Sequence, residues 1–146
     1  MPNPLVSVLI NCYNGEKYLE AAINSVMNQT YKNWEIIFWD NQSTDNSEEI
    51  VKKYQDKRFN YFKSQRHTTQ YEARNEGLNK CSGDLIAFLD VDDFWQKDAF
   101  GNWALMVDQY DDDGTQLINV GYFVYKEWLD KLSSAVKILK RAKTVQ

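Results

Sequence analysis

Apolar and polar positions alternate in blocks along the first ninety or so residues. Val6-Ser7-Val8-Leu9-Ile10 is β-branched and apolar, Trp34-Glu35-Ile36-Ile37-Phe38-Trp39 is a second such run, Phe59-Asn60-Tyr61-Phe62 is a short third, and Asp84 to Leu89 is the fourth. Short apolar runs bounded by turn formers read as strands covered on both faces. Between them the period changes. Leu19, Ala22, Ile23 and Val26 recur at helical spacing within Glu16 to Gln29, which predicts a helix with one face against a sheet. Tyr13-Asn14-Gly15 reads as the loop leading into it, with Asn14 as the cap. Asp45 and Glu48 predict a capping pair for a second helix that runs through Tyr54, and a third helix is predicted over Gln70 to Lys80. Past Trp95 the pattern loosens. It gives a helix over Asn102 to Tyr110, a turn at Asp111-Asp112-Asp113-Gly114, a strand within Gln116 to Tyr125 and a helix over Glu127 to Lys143.

Strand alternating with helix predicts an α/β fold, a mostly parallel sheet flanked by helices and joined by right-handed crossovers. The polar loops after strands one, two and four then gather on one edge, where open α/β sheets bind ligands. A length of 146 residues with 43% hydrophobic content is enough for one core. Both prolines fall within the first four residues, so no Pro-rich linker divides the chain. The division expected is a main domain over 1–125 and a terminal helix over 126–146 that belongs to the same domain.

Charge and cysteine usage narrow the setting. Seventeen basic against 21 acidic residues give a net charge of −4, which argues against a general nucleic-acid surface. Two cysteines, Cys12 and Cys81, make no disulfide framework and fit a reducing, cytoplasmic compartment as buried small apolar residues. No apolar run approaches the length needed to span a bilayer, and no leader precedes the first strand.

The fourth strand stops on Asp90, Asp92 and Asp93. These like charges repel one another unless water, a cation or a hydrogen-bonding ligand sits among them. The alternatives are a hydrated turn and a metal site. The acidic turn at Asp111 to Asp113 is a rival cluster, but with Gly114 after it a solvated turn is the better reading.

Five motifs in order now bear on function: Val6 to Gly15, the Asn28-Gln29-Thr30-Tyr31 turn, Trp39-Asp40-Asn41-Gln42-Ser43-Thr44-Asp45-Asn46-Ser47, Ala73-Arg74-Asn75-Glu76-Gly77 and Phe88-Leu89-Asp90-Val91-Asp92-Asp93. Together they closely resemble the family 2 glycosyltransferases of GT-A fold, over roughly residues 5 to 95. The resemblance implies transfer of a sugar from a nucleotide diphosphate donor, UDP-linked by expectation, to an acceptor hydroxyl with inversion and with Mg²⁺ or Mn²⁺. It implies that Asp40 accepts a hydrogen bond from the base N–H, that Tyr13 packs on the base with Asn14 beside it, and that Arg74 supports the donor. Asp92 is implied as the metal ligand, with Asp90 near the ribose or metal, since a hard cation binds through one or two carboxylates plus substrate phosphates. Taken without the family, Asp40 and Asp45 are turn and cap residues and Arg74 is an ion-pair partner of Glu72 or Glu76. His67, the only histidine, reads as solvated rather than catalytic.

The departures from the family bear on activity. Asn41 stands where many members carry a second Asp, and Thr68 and Thr69 fall near where a glycine is usual. Members also continue well past the carboxylates into an acceptor-binding region that supplies a general base; Glu127 and Asp130 are the nearby carboxylates, and neither is identified as that base. The tail from Trp128 to Gln146 carries Lys131, Lys137, Lys140, Arg141 and Lys143 beside apolar residues at helical spacing. It is read as a basic amphipathic helix, packed on the sheet or in peripheral contact with the inner face of a membrane. Glycan or lipid-linked acceptors are the expected partners, and self-association through an unpaired sheet edge is a further expectation. The other functional readings are a nucleotide-sugar-binding module without transfer and a partner-docking protein that uses the tail.

Overall fold

A computed structural model describes residues 3–99 and the strand Phe123–Tyr125. Four strands, β1 (Val6–Cys12), β2 (Trp34–Asp40), β3 (Phe59–Lys63) and β4 (Leu85–Phe88), alternate with helices α1 (Leu19–Met27), α2 (Ser47–Val51) and α3 (Gln70–Leu78), and β5 (Phe123–Tyr125) closes the sheet. The order across the sheet is β3-β2-β1-β4-β5. β1 lies parallel to β2 and β4, and β2 parallel to β3, while β5 is antiparallel to β4. The sequence expectation of a mostly parallel sheet holds.

Strand periodicity explains why these runs are apolar throughout. Val6, Val8, Ile10 and Cys12 of β1, Trp34, Ile36 and Phe38 of β2, and Leu85 and Ala87 of β4 share one face with Leu19, Ala22, Ile23 and Val26 of α1. The residues between them, Leu9, Ile37, Trp39 and Ile86, share the other face with Ala73 of α3. Each central strand thus buries both its odd and its even positions, as a sheet with helices on both faces requires. Registers such as Cys12↔Asp40 bring the carboxyl ends of β1 and β2 level. The loops that follow therefore emerge side by side.

Two helix starts differ from the sequence reading. Asn14 does not cap α1: it adopts φ 54°, and α1 begins at Leu19 after a turn in which Tyr18 and Leu19 N–H both donate to the Gly15 carbonyl. Asp45 and Glu48 form no capping box, because Glu48 is drawn to Lys52 and Lys63, and α2 is a single turn ending at Val51 rather than at Tyr54. A capping box does form at α3, where Thr69 and Glu72 satisfy each other's backbone N–H. The elements expected over 102–110, 111–114 and 127–143, with Glu127, Asp130 and the basic tail, lie outside the described residues, as does most of the strand expected within 116–125. Among the described residues no helix is long and apolar enough to cross a membrane.

Candidate donor site at the carboxyl edge of the sheet

The loops after β1, β2 and β4 meet at this edge and are held by side chains of one loop bonding to the backbone of another. The Asn14 side-chain oxygen accepts from the N–H of Thr44 at 2.7 Å and of Asp45 at 3.3 Å. In return, Asn14 N–H donates to Ser43 Oγ at 2.9 Å, Gly15 N–H to Ser47 Oγ at 3.0 Å and Glu16 N–H to Asp45 Oδ2 at 3.0 Å. Asn46 N–H donates to Glu16 Oε2 at 3.0 Å. Asn tolerates the left-handed backbone that this arrangement needs, which is the physical reason for Asn at position 14. Burial pushes the Asp45 carboxyl up, but hydrogen bonds from Ser47 and from the Glu16 amide outweigh it and hold the group below its ordinary value. Burial pushes the Cys12 thiol up, so it stays a neutral thiol between Ser43 and Ser47.

A cleft of about 670 Å³ opens beside these loops. It is lined from the β1 end by Asn11, Tyr13 and Asn14, from the segment before α3 by His67, Thr68 and Thr69, and from the β4 end by Asp90 and Asp92. Tyr13 is half exposed. Asp90 begins a tight turn, with its carbonyl accepting from Asp93 N–H at 3.0 Å, and Asp93 is not among the lining residues. Of the three carboxylates in the sequence motif, two therefore face the cleft.

Asp40 and Arg74 stand back from it. Asp40 is fully buried, with Oδ1 accepting from Ser43 N–H at 2.8 Å and Oδ2 from the Tyr61 hydroxyl at 2.8 Å. Each Asp40 oxygen is engaged by one donor inside the protein, and a carboxylate oxygen retains a further lone pair beyond the bond it accepts. Arg74 reaches Asp90 Oδ1 at 3.3 Å and lies over the Phe88 ring at 5.0 Å, where it supports the carboxylate from outside the cleft. Both partners are partly exposed, so this pair orients Asp90 more than it stabilises the fold.

Three lining residues were not assigned to the site from the sequence: Asn11 was given no role, Asn41 was read only as a departure from the family's second Asp, and His67 as solvated. Asn11 projects from β1 with both side-chain polar atoms lacking a partner among the described residues. Asn41 is tied to Thr68 by three bonds, Nδ2 donating to its carbonyl and Oδ1 accepting from its N–H and hydroxyl. His67 packs its ring on Tyr13. Nothing in the linear sequence marks the three as neighbours, because their proximity is made by parallel strands and not by spacing.

Among the described residues no group of three His, Cys, Asp or Glu side chains is gathered closely enough to hold a metal ion by itself. Two cleft-facing carboxylates fit a divalent cation whose remaining ligands are phosphate and water oxygens, the usual habit of Mg²⁺. They do not make a preformed cage.

The sequence also matches the model of Glycosyl transferase family 2 over residues 7–143. The chain belongs to that family. Among curated relatives, the Escherichia coli UDP-Glc:alpha-D-GlcNAc-diphosphoundecaprenol beta-1,3-glucosyltransferase WfgD is 40% identical over 95 residues, 65% of this chain and 38% of that protein. Glycosyltransferase GlyA of Streptococcus pneumoniae serotype 4 is 36% identical over 125 residues, 84% of this chain and 17% of that protein. Among solved structures, S. aureus TarS 1-349 in complex with UDP superposes with a TM-score of 0.67 at 29% identity, covering 71% of this chain and 32% of that one. The mannosyltransferase PcManGT of Pyrobaculum calidifontis, solved with GDP-Man and Mn²⁺, gives a TM-score of 0.69 at 21% identity over 76% of this chain and 33% of its own, a likeness of fold alone. The fold of this family 2 chain is the GT-A type. It spans about two fifths of the length of the first curated relatives that it matches.

Proposed function

We propose that this family 2 chain forms the donor-binding part of an inverting, metal-dependent glycosyltransferase that moves a sugar from a UDP-sugar to an acceptor hydroxyl. The observation that carries the reading is one cleft that joins an exposed aromatic ring, Tyr13, to two carboxylates, Asp90 and Asp92, at the carboxyl edge of a parallel sheet. A nucleoside diphosphate has the matching parts: a flat base for the ring and a diphosphate for the carboxylate end.

Tyr13 takes the base face, and Asn14 and Asp40 fix the two loops that form its floor. Asp92, supported by Asp90, is the ligand for Mg²⁺ or Mn²⁺. A divalent cation held there supplies Lewis-acid stabilisation of the departing diphosphate. Arg74 keeps Asp90 oriented toward the phosphates. Inversion by direct displacement needs a carboxylate within hydrogen-bond reach of the acceptor hydroxyl, and that group belongs to the part of the enzyme beyond this edge. The names of the relatives support a polysaccharide pathway with a lipid-linked acceptor, and with it a cytoplasmic enzyme working at the inner membrane face.

The test is calorimetric titration of UDP with Mn²⁺, with chelator, and with Asp92→Ala. Binding that needs Mn²⁺ and falls at least about tenfold in Asp92→Ala is expected, since a lost charge-assisted contact is worth about 1.5–3 kcal/mol. Equal binding with chelator would remove the metal from the reading, and no binding of UDP would overturn the donor site. A second reading, a nucleotide-sugar-binding module without transfer, rests on the cleft alone, whose two carboxylates are both taken up by the cation in the reading above. Nucleotide binding with donor hydrolysis and transfer at background would decide for the module.

A further inference from the structure

The one histidine of the chain lies in the cleft and holds a fixed posture there. His67 Nδ1 is 2.9 Å from the Asn41 carbonyl oxygen. A carbonyl only accepts, so Nδ1 carries the proton and donates. Asn41 is itself immobilised: its N–H donates to the Cys12 carbonyl at 2.8 Å and its side chain is locked to Thr68. The histidine is therefore anchored to the ends of β1 and β2 together. Its ring packs on Tyr13 with centroids 4.4 Å apart and planes inclined by 53°, a tilted aromatic pair.

We propose that His67 is the positioning residue of the base wall, holding the Tyr13 ring in the posture that receives the base of a nucleoside diphosphate. The proposal rests on the donor-site reading above and adds a residue that acts through Tyr13. A half-exposed tyrosine at the tip of a strand otherwise samples several rotamers and loses that freedom when a ligand packs on it. A ring already held by a neighbour loses less, and the difference appears as affinity for ligands that carry a base. Ligands without a base do not touch Tyr13 and gain nothing.

That contrast gives the experiment. UDP and inorganic pyrophosphate, each with Mn²⁺, are titrated into the full 146-residue chain as wild type, His67→Ala and His67→Phe. His67 is exposed, so the substitutions leave the core untouched, and a thermal melt checks this. His67→Ala is expected to weaken UDP by about tenfold at most, the upper range for an aromatic pair. His67→Phe keeps the ring but loses the anchor and falls between alanine and wild type. Pyrophosphate affinity stays the same in all three. Unchanged UDP affinity in His67→Ala, or equal losses for UDP and pyrophosphate, would overturn the positioning role and leave the donor site standing. A wild-type chain that binds pyrophosphate but gains nothing from the base would overturn the base wall, and one that binds neither ligand would overturn the donor site and this role with it.

Discussion

The Tyr61 hydroxyl donates to Asp40 Oδ2 at 2.8 Å and turns the last residue of β2 into the sheet. Burial and then the carboxylate push the Tyr61 phenol far up, so it stays protonated and donating at any pH the protein tolerates. Tyr61→Phe leaves a fully buried carboxylate short of one donor. Hydrogen bonds to charged groups contribute about 1.5–3 kcal/mol, and a loss of that size in urea unfolding with an unchanged m-value is expected. A loss under about 0.5 kcal/mol would mean that Asp40 finds another partner.

Gly15 sits where the β1 and β4 loops touch. A Cβ there would lie 2.8 Å from Val91 Cγ2 and 2.9 Å from Cys12 Sγ, so Gly15→Ala has to displace Val91, between Asp90 and Asp92, or the Cys12 side chain. Overpacking of this kind costs about 1–3 kcal/mol, and UDP affinity should fall with it. Gly77→Ala is the control: its Cβ would stand 2.6 Å from Leu9 Cδ1, on the α3 face of the sheet. It should cost less stability, because alanine in a helix recovers about 1 kcal/mol over glycine, and it should leave UDP titrations unchanged.

Acid should weaken the fold through two carboxylates. Hydrogen bonds from the Arg58 side chain and amide hold the Asp56 carboxyl at about 2, below its ordinary 3.8. Hydrogen bonds from Lys52 and Lys63 hold Glu48 at about 2, below 4.5. A folded value below the unfolded one means that the unfolded chain binds protons more readily. The contribution is complete above the ordinary values and is lost as pH falls toward about 2. Urea midpoints measured from pH 5 downward should drop through that window, and Asp56→Asn should flatten part of the drop. The Glu48 side chain is 31% exposed and that of Asp56 20%, so about 1 M salt should screen more of the Glu48 share than of the Asp56 share.

Gln29 is fully buried and donates from Nε2 to the Ser25 carbonyl at 2.9 Å and to the Gln96 carbonyl at 2.6 Å, while Thr30 N–H donates to the Lys97 carbonyl at 2.8 Å. The segment after the carboxylates is pinned to the α1–β2 turn by these bonds. Gln29→Glu replaces the donor with an acceptor facing two carbonyls. A loss of about 1–3 kcal/mol and faster hydrogen exchange at the Thr30 amide are expected, and unchanged exchange would show that the pin is not needed.

The fold was legible because doubly buried strands leave an unmistakable apolar run, and α1 announced itself through Leu19, Ala22, Ile23 and Val26. The helix starts were misread where a long-range bond defeated a local rule. Asn14 looks like a cap until the β2 loop is beside it, and Glu48 looks like a capping partner until Lys63 arrives from β3. Thr69 and Glu72 carried a true capping signature that periodicity alone did not single out. In the site, Tyr13, Asp90 and Asp92 were legible as a strand-end aromatic and strand-end carboxylates. The inward turn of Asp40 was not, because Tyr61 stands 21 positions away in sequence. His67 was not legible either, since a lone histidine in a polar stretch gives no sign of the ring it will meet.

The reciprocal bonds between residues 14–16 and 43–47 use only atoms of the two loops themselves. Their shape is therefore set by the chain itself. An edge that carries its own bracing keeps one outline whatever happens at its far margins, much as an arch stands on its own stones.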